Sequence, residues 1–143
     1  METNELHRGR LIDHIQFVVK DFGASYRFYS AVFKALGIPE GGKQDGFAWW
    51  DEFVITSAES EAAQGKLTGR THLAFQAADK KMVDLFYHTA LEVGGRDNGK
   101  PGDRQQYHPG YYAGFVLDPD GNNVEAVYHG EAKRSATSIK ITF

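Results

Sequence analysis

The chain has 143 residues, 41% of them hydrophobic and 24% charged, with a formal net charge of −3, which fits a soluble single domain with a real core. With no cysteine, disulfides, thiol chemistry and thiolate metal sites are excluded, so any metal must use histidine and carboxylate ligands. The acidic balance offers no basic face to a nucleic acid, and no run nears the roughly 18 apolar residues of a membrane span. The start, METNELHRGR, has no apolar signal core, so a cytoplasmic location is expected.

Ile12 to Val19 is rich in β-branched and aromatic residues and predicts a strand carrying His14. Asp21 is placed to cap a helix whose Phe22, Tyr26, Tyr29, Phe33 and Leu36 fall on one apolar face, and Gly37 ends it. Strand-like runs follow at Phe47–Trp50 and Phe53–Ser57, with one of Trp49 and Trp50 expected in a cavity and the other in the core. Residues 59–69 read as a linker. A second strand then carries His72, Asp79 caps a helix with Val83, Phe86, Tyr87, Ala90 and Leu91 inward, and Gly94-Gly95 stops it. Gly94 to Gly110 holds five glycines and two prolines and predicts a long loop or distorted hairpin. Strands at Tyr111–Leu117 and Asn123–Tyr128 flank the turn Asp118-Pro119-Asp120-Gly121-Asn122. In the polar tail, residues 130–143, Ile139-Lys140-Ile141 suggests an edge strand or a contact with a second subunit.

The two halves repeat. DHIQFVVKD and THLAFQAAD align at an offset of 58, which also superposes Phe28-Tyr29 on Phe86-Tyr87 and Gly37 on Gly95. Module one spans about 11–58 and module two about 70–129, together one domain over 1–143. Strand parity puts Gln16 and Val18 on the face of His14, and Ala74 and Gln76 on that of His72. It turns Phe17, Val19, Leu73, Phe75 and Ala77 toward the helices.

These segments, with DPDGNNVEAVYH, resemble the vicinal oxygen chelate superfamily: glyoxalase I, extradiol dioxygenases, fosfomycin-resistance enzymes and bleomycin-resistance proteins. The likeness covers roughly Leu11 to His129 and is nearest to lactoylglutathione-lyase-like proteins of unassigned function. It implies an α+β fold of two βαβββ modules forming a curved mixed sheet, a half-barrel with helices outside, and a homodimer. It also implies a divalent metal (Zn, Fe, Mn, Ni or Co) held by His14, His72 and Glu125, with positions left open for a substrate that chelates through adjacent oxygens. Aligning DEFVITSA over GNNVEAVY sets Ile55 opposite Glu125, where glyoxalase I has a carboxylate. Ile55 is thus expected to face the cavity without ligating, which argues against literal glyoxalase I activity.

After the glycine-rich segment, His108 and Tyr111 are candidate catalytic residues, and Arg104 and Tyr112, with Gln16, candidate substrate contacts. His129 follows the last strand as a surface residue. The expected function is a metal-dependent lyase, isomerase or dioxygenase acting on a small oxygenated molecule. The alternatives are a metal-free binding protein of the bleomycin-resistance type and a fosfomycin-type thiol transferase.

Overall fold

The structure, a computed structural model, describes residues 5–8, 13–60, 67–69, 71–133 and 138–142. In chain order these form β1 (Glu5–Arg8), β2 (Ile15–Val19), α1 (Phe22–Ala35), β3 (Gly42–Gln44), β4 (Phe47–Trp50) and β5 (Phe53–Ser57). There follow β6 (His72–Gln76), α2 (Lys80–Glu92), β7 (Arg96–Asp103), β8 (Tyr112–Leu117), β9 (Asn123–Tyr128) and β10 (Ile139–Thr142). The strands form two four-stranded mixed sheets of matching order, β2-β5-β4-β3 and β6-β9-β8-β7, and a two-stranded sheet β1-β10. The fold is α+β with the repeated βαβββ unit. In each copy the first strand runs parallel to the last, as a helix crossover requires.

Local chemistry sets the repeat. Asp21 accepts a hydrogen bond from the Ala24 amide at 3.0 Å, and Asp79 from the Met82 amide at 2.8 Å, satisfying N–H groups that a helix start leaves unpaired. Both helices end on a glycine at positive φ, Gly37 at 74° and Gly94 at 96°. Around the first, Gly37 and Ile38 donate back to the carbonyls of Lys34 and Phe33.

One core joins both modules: Phe17, Phe28, Phe33, Trp50 and Ile55 pack with Val83, Phe86, Val116 and Val124. Phe75 of the second module meets Phe33 and Phe53 of the first at ring-centroid distances of 4.8 and 5.7 Å. The helices therefore pack on each other as well as on their sheets. This explains why α1 buries Phe28 and Val32 besides the expected Tyr29 and Phe33. A polar bond crosses the same boundary, from the buried Tyr29 hydroxyl to the Asp118 carboxylate at 2.6 Å.

Two open alternatives are decided and other expectations change. The glycine-rich segment is the distorted hairpin, β7 on β8, with register shifts around Gly99. The tail strand β10 pairs with β1 of its own chain. β3, sequence GKQ, was not anticipated. Leu91, expected in the core, is 38% exposed because α2 turns Val83, Phe86, Tyr87 and Ala90 inward instead. Ile55 does not face the cavity. It pairs with Phe17 and is fully buried in the core, whereas Val54 pairs with Gln16. In the second sheet Glu125 pairs with Ala74, so Val54, and not Ile55, holds the place equivalent to Glu125.

Candidate functional site

Each sheet has one face on the helices and one turned away. In the first sheet the outer face carries Gln16, Val54 and Trp49, which lie in register. Trp50, one residue on, is in the core. In the second sheet His72, Ala74 and Gln76 are exposed on the outer face, and Leu73 and Phe75 pack inward, as parity requires.

Glu125 is the centre of this second face. It lies mid-strand on β9 and is 2% exposed, so its carboxylate needs partners. The His72 Nε2 atom lies 2.5 Å from Glu125 Oε2, and the Tyr111 hydroxyl donates to Oε1 at 2.6 Å. Burial, together with the hydrogen bond and charge of Glu125, pushes the Tyr111 phenol far above its ordinary range, so it remains a donor. Behind His72, Nδ1 is 2.7 Å from Asn123 Nδ2, while the buried Asn123 Oδ1 has no partner. Turning that amide over sets Oδ1 against the His72 Nδ1–H and leaves Nε2 with a lone pair, the tautomer a metal ligand requires. By that test His72 and Glu125 fit a divalent cation.

Beside them is a small apolar patch of Ala113, Phe115 and Val127 with Tyr111 packed on it. Gly99, at φ 146°, makes room for Phe115: a Cβ there would lie 3.0 Å from the ring. The Arg104 guanidinium sits over the Phe115 ring, 5.4 Å from its centroid, and donates to the Lys100 carbonyl at 2.7 Å. The structure therefore brings His72, Glu125, Tyr111 and Arg104 to one face.

Other candidates lie elsewhere. Tyr112 alternates to the helix side, where its hydroxyl donates to Asp84 at 2.6 Å; that bond, with burial, pushes its phenol up to about 12. Gln16 belongs to the first sheet. His14 is 58% exposed and bonds Asp13 at 2.7 Å. Among the described residues no three histidine, aspartate or glutamate side chains converge as a metal group, so His14 is not brought to His72 and Glu125. His108 packs edge-on against Tyr111, with centroids 5.3 Å apart, and its partner is His129. Asn123 was missed by sequence reasoning, although its place two residues before Glu125 puts it on the same face.

The chain belongs to the glyoxalase/bleomycin resistance protein/dioxygenase superfamily, whose model matches residues 11–126. It is 35% identical over 124 residues to the uncharacterized protein YqjT of Bacillus subtilis, covering 80% of this chain and 95% of that one. Among solved structures it resembles a glyoxalase/bleomycin resistance protein from Albidiferax ferrireducens, with a TM-score of 0.72 at 26% identity over 82% of this chain and 98% of the other. A lactoylglutathione lyase from Agrobacterium tumefaciens shares the fold, with a TM-score of 0.58 at 21% identity over 82% and 92% of the two chains.

Proposed function

We propose that the protein is a divalent-metal-dependent enzyme acting on a small substrate that binds through adjacent oxygens. Its metal is held by His72 and Glu125 of one subunit and His14 of the partner subunit in a homodimer. The observation that carries this reading is the buried Glu125 carboxylate with His72 converging on one oxygen and Tyr111 holding the other. His14 lies on the outer face of the other sheet, and rigid strands cannot swing it across. A second copy laying its first sheet over this second face supplies it and covers both. The bound cation supplies Lewis-acid stabilisation of negative charge on a substrate oxygen. Tyr111 fixes the carboxylate and Asn123 the imidazole tautomer. Phe115 receives an apolar part of the substrate, and Arg104 an anionic one. Val54 leaves no carboxylate at the first-sheet position equivalent to Glu125, so a proton-transfer base must come from elsewhere.

Mixing variants tests the site. The protein purified without chelator should carry about one divalent ion per chain, and His72→Ala or Glu125→Gln should lose it. In a mixed dimer of His14→Ala with Glu125→Gln, one of the two shared sites is intact, so metal binding returns on mixing. If the purified protein carries no divalent ion, the metal-free binding module replaces this reading, and if neither single variant loses the ion, it is held elsewhere. If both lose it and mixing restores none, the site lies within one chain.

A further inference from the structure

A second pair of imidazoles lies outside that site. His108 Nε2 and His129 Nδ1 are 2.9 Å apart, with their rings stacked at a centroid distance of 5.2 Å. We propose that His108 and His129 form a separate two-histidine site for a late first-row divalent cation that prefers tetragonal geometry, copper(II) or nickel(II).

Three observations carry it. The first is the bite. Two imidazole nitrogens each about 2.0–2.1 Å from one metal and this far apart subtend about 90° at it, less than the roughly 109° of a tetrahedron. Cis positions of a square or octahedral shell have that angle, and nitrogen donors in that geometry select copper(II) or nickel(II).

The second is the tautomer. His108 Nδ1 lies 2.8 Å from the Pro109 carbonyl. An oxygen acceptor there keeps the proton on Nδ1, so Nε2 presents its lone pair to the His129 Nδ1–H; a cation entering between them takes the place of that proton, which moves to the exposed Nε2 of His129 and leaves both facing nitrogens as donors. A backbone carbonyl behind the ligating ring is the support that metal-bound histidines commonly have.

The third is the backbone that holds the two rings together. Gly110 and Gly130, each two or fewer residues from one of the histidines, have φ of 88° and 72° and pack main chain to main chain. A Cβ on Gly130 would lie 3.2 Å from the Gly110 carbonyl oxygen. The hairpin after β7 and the end of β9 are thus pinned at the point where the rings meet, and the Tyr111 ring stands edge-on to both, with centroids 5.3 Å away. His129 is exposed and His108 partly so, which leaves the remaining coordination positions to water or a ligand.

The probe is copper(II) chloride, titrated into a His72→Ala/Glu125→Gln protein so that the other site is silent. One equivalent should bind per chain, with electron paramagnetic resonance showing two imidazole nitrogens. Adding His108→Gln or His129→Gln should each weaken binding at least about tenfold, since removing a ligand costs no less than removing its support. Both side chains are at the surface, so these variants keep the fold, which far-UV circular dichroism checks. Undiminished copper affinity in either variant, or a signal from a single imidazole, overturns the proposal, and the contact is then a plain N–H···N hydrogen bond. Because the background lacks His72 and Glu125, this result is independent of the catalytic reading.

Discussion

Tyr111, just before β8, and Tyr112, its first residue, have opposite tasks. Alternation sends Tyr111 to Glu125 and Tyr112 to Asp84 on α2. Tyr111→Phe removes a donor from a buried carboxylate and should lower metal affinity about 10- to 100-fold, as loss of an outer partner does. Tyr112→Phe should leave metal affinity unchanged and affect stability alone. Metal titration beside thermal denaturation separates the two, and equal metal affinities in both variants would remove Tyr111 from the site. From the sequence Tyr111 is a catalytic candidate and Tyr112 a substrate contact in the same cavity, because residue type is visible and strand phase is not until β8 is placed against β9.

At the scale of elements, the caps and the helix stops are legible because each is a local act: Asp21 and Asp79 bond amides three residues on, and Gly37 and Gly94 take a left-handed turn. The pairing of the last strands is not. The first module turns from β4 to β5 over Asp51 and Glu52, with Asp51 at φ 45°, while the second needs Asp118 to Asn122, gathered around the Asp118 carboxylate. Unequal turns slip a sequence alignment by one residue, and one residue exchanges the faces of a strand, so Ile55 and Val54 change places. β3 and β1 escape notice because GKQ and ELHR carry no apolar alternation. That same Asp118 turn ties the modules together through Tyr29. Tyr29→Phe takes a donor from a buried carboxylate and should cost about 1–3 kcal/mol. Burial and the Asp118 charge hold the Tyr29 phenol well above its ordinary value near 10. A raised folded value means that its contribution is complete below the unfolded value, near pH 10, and is lost as pH rises toward the folded one. Denaturant midpoints should therefore fall more steeply above pH 10 in the wild type than in Tyr29→Phe, and parallel slopes would contradict the argument.

For the whole molecule, what matters most is that the proposed ligands are distributed over two sheets. The helices and the shared core fix the two modules back to back, so the faces bearing His14 and His72 point away from a common interior. The face bearing His14 also leaves apolar surface open: Phe47 and Trp49 lie half-buried there with ring centroids 5.4 Å apart, surface of a kind that a second subunit covers. If the partner subunit closes the site, metal binding and association are linked, because a cation held by both chains stabilises the dimer over the monomer by mass action. Sedimentation should then show a dimer at micromolar concentration that shifts toward monomer when EDTA removes the metal. His14→Ala should shift it in the same direction without EDTA, and EDTA should have little further effect on that variant. His129→Gln, which removes neither a proposed ligand nor the Tyr111–Glu125 hydrogen bond, should behave as wild type. A dimer whose dissociation ignores both EDTA and His14→Ala would place the interface elsewhere and leave His14 outside the metal site.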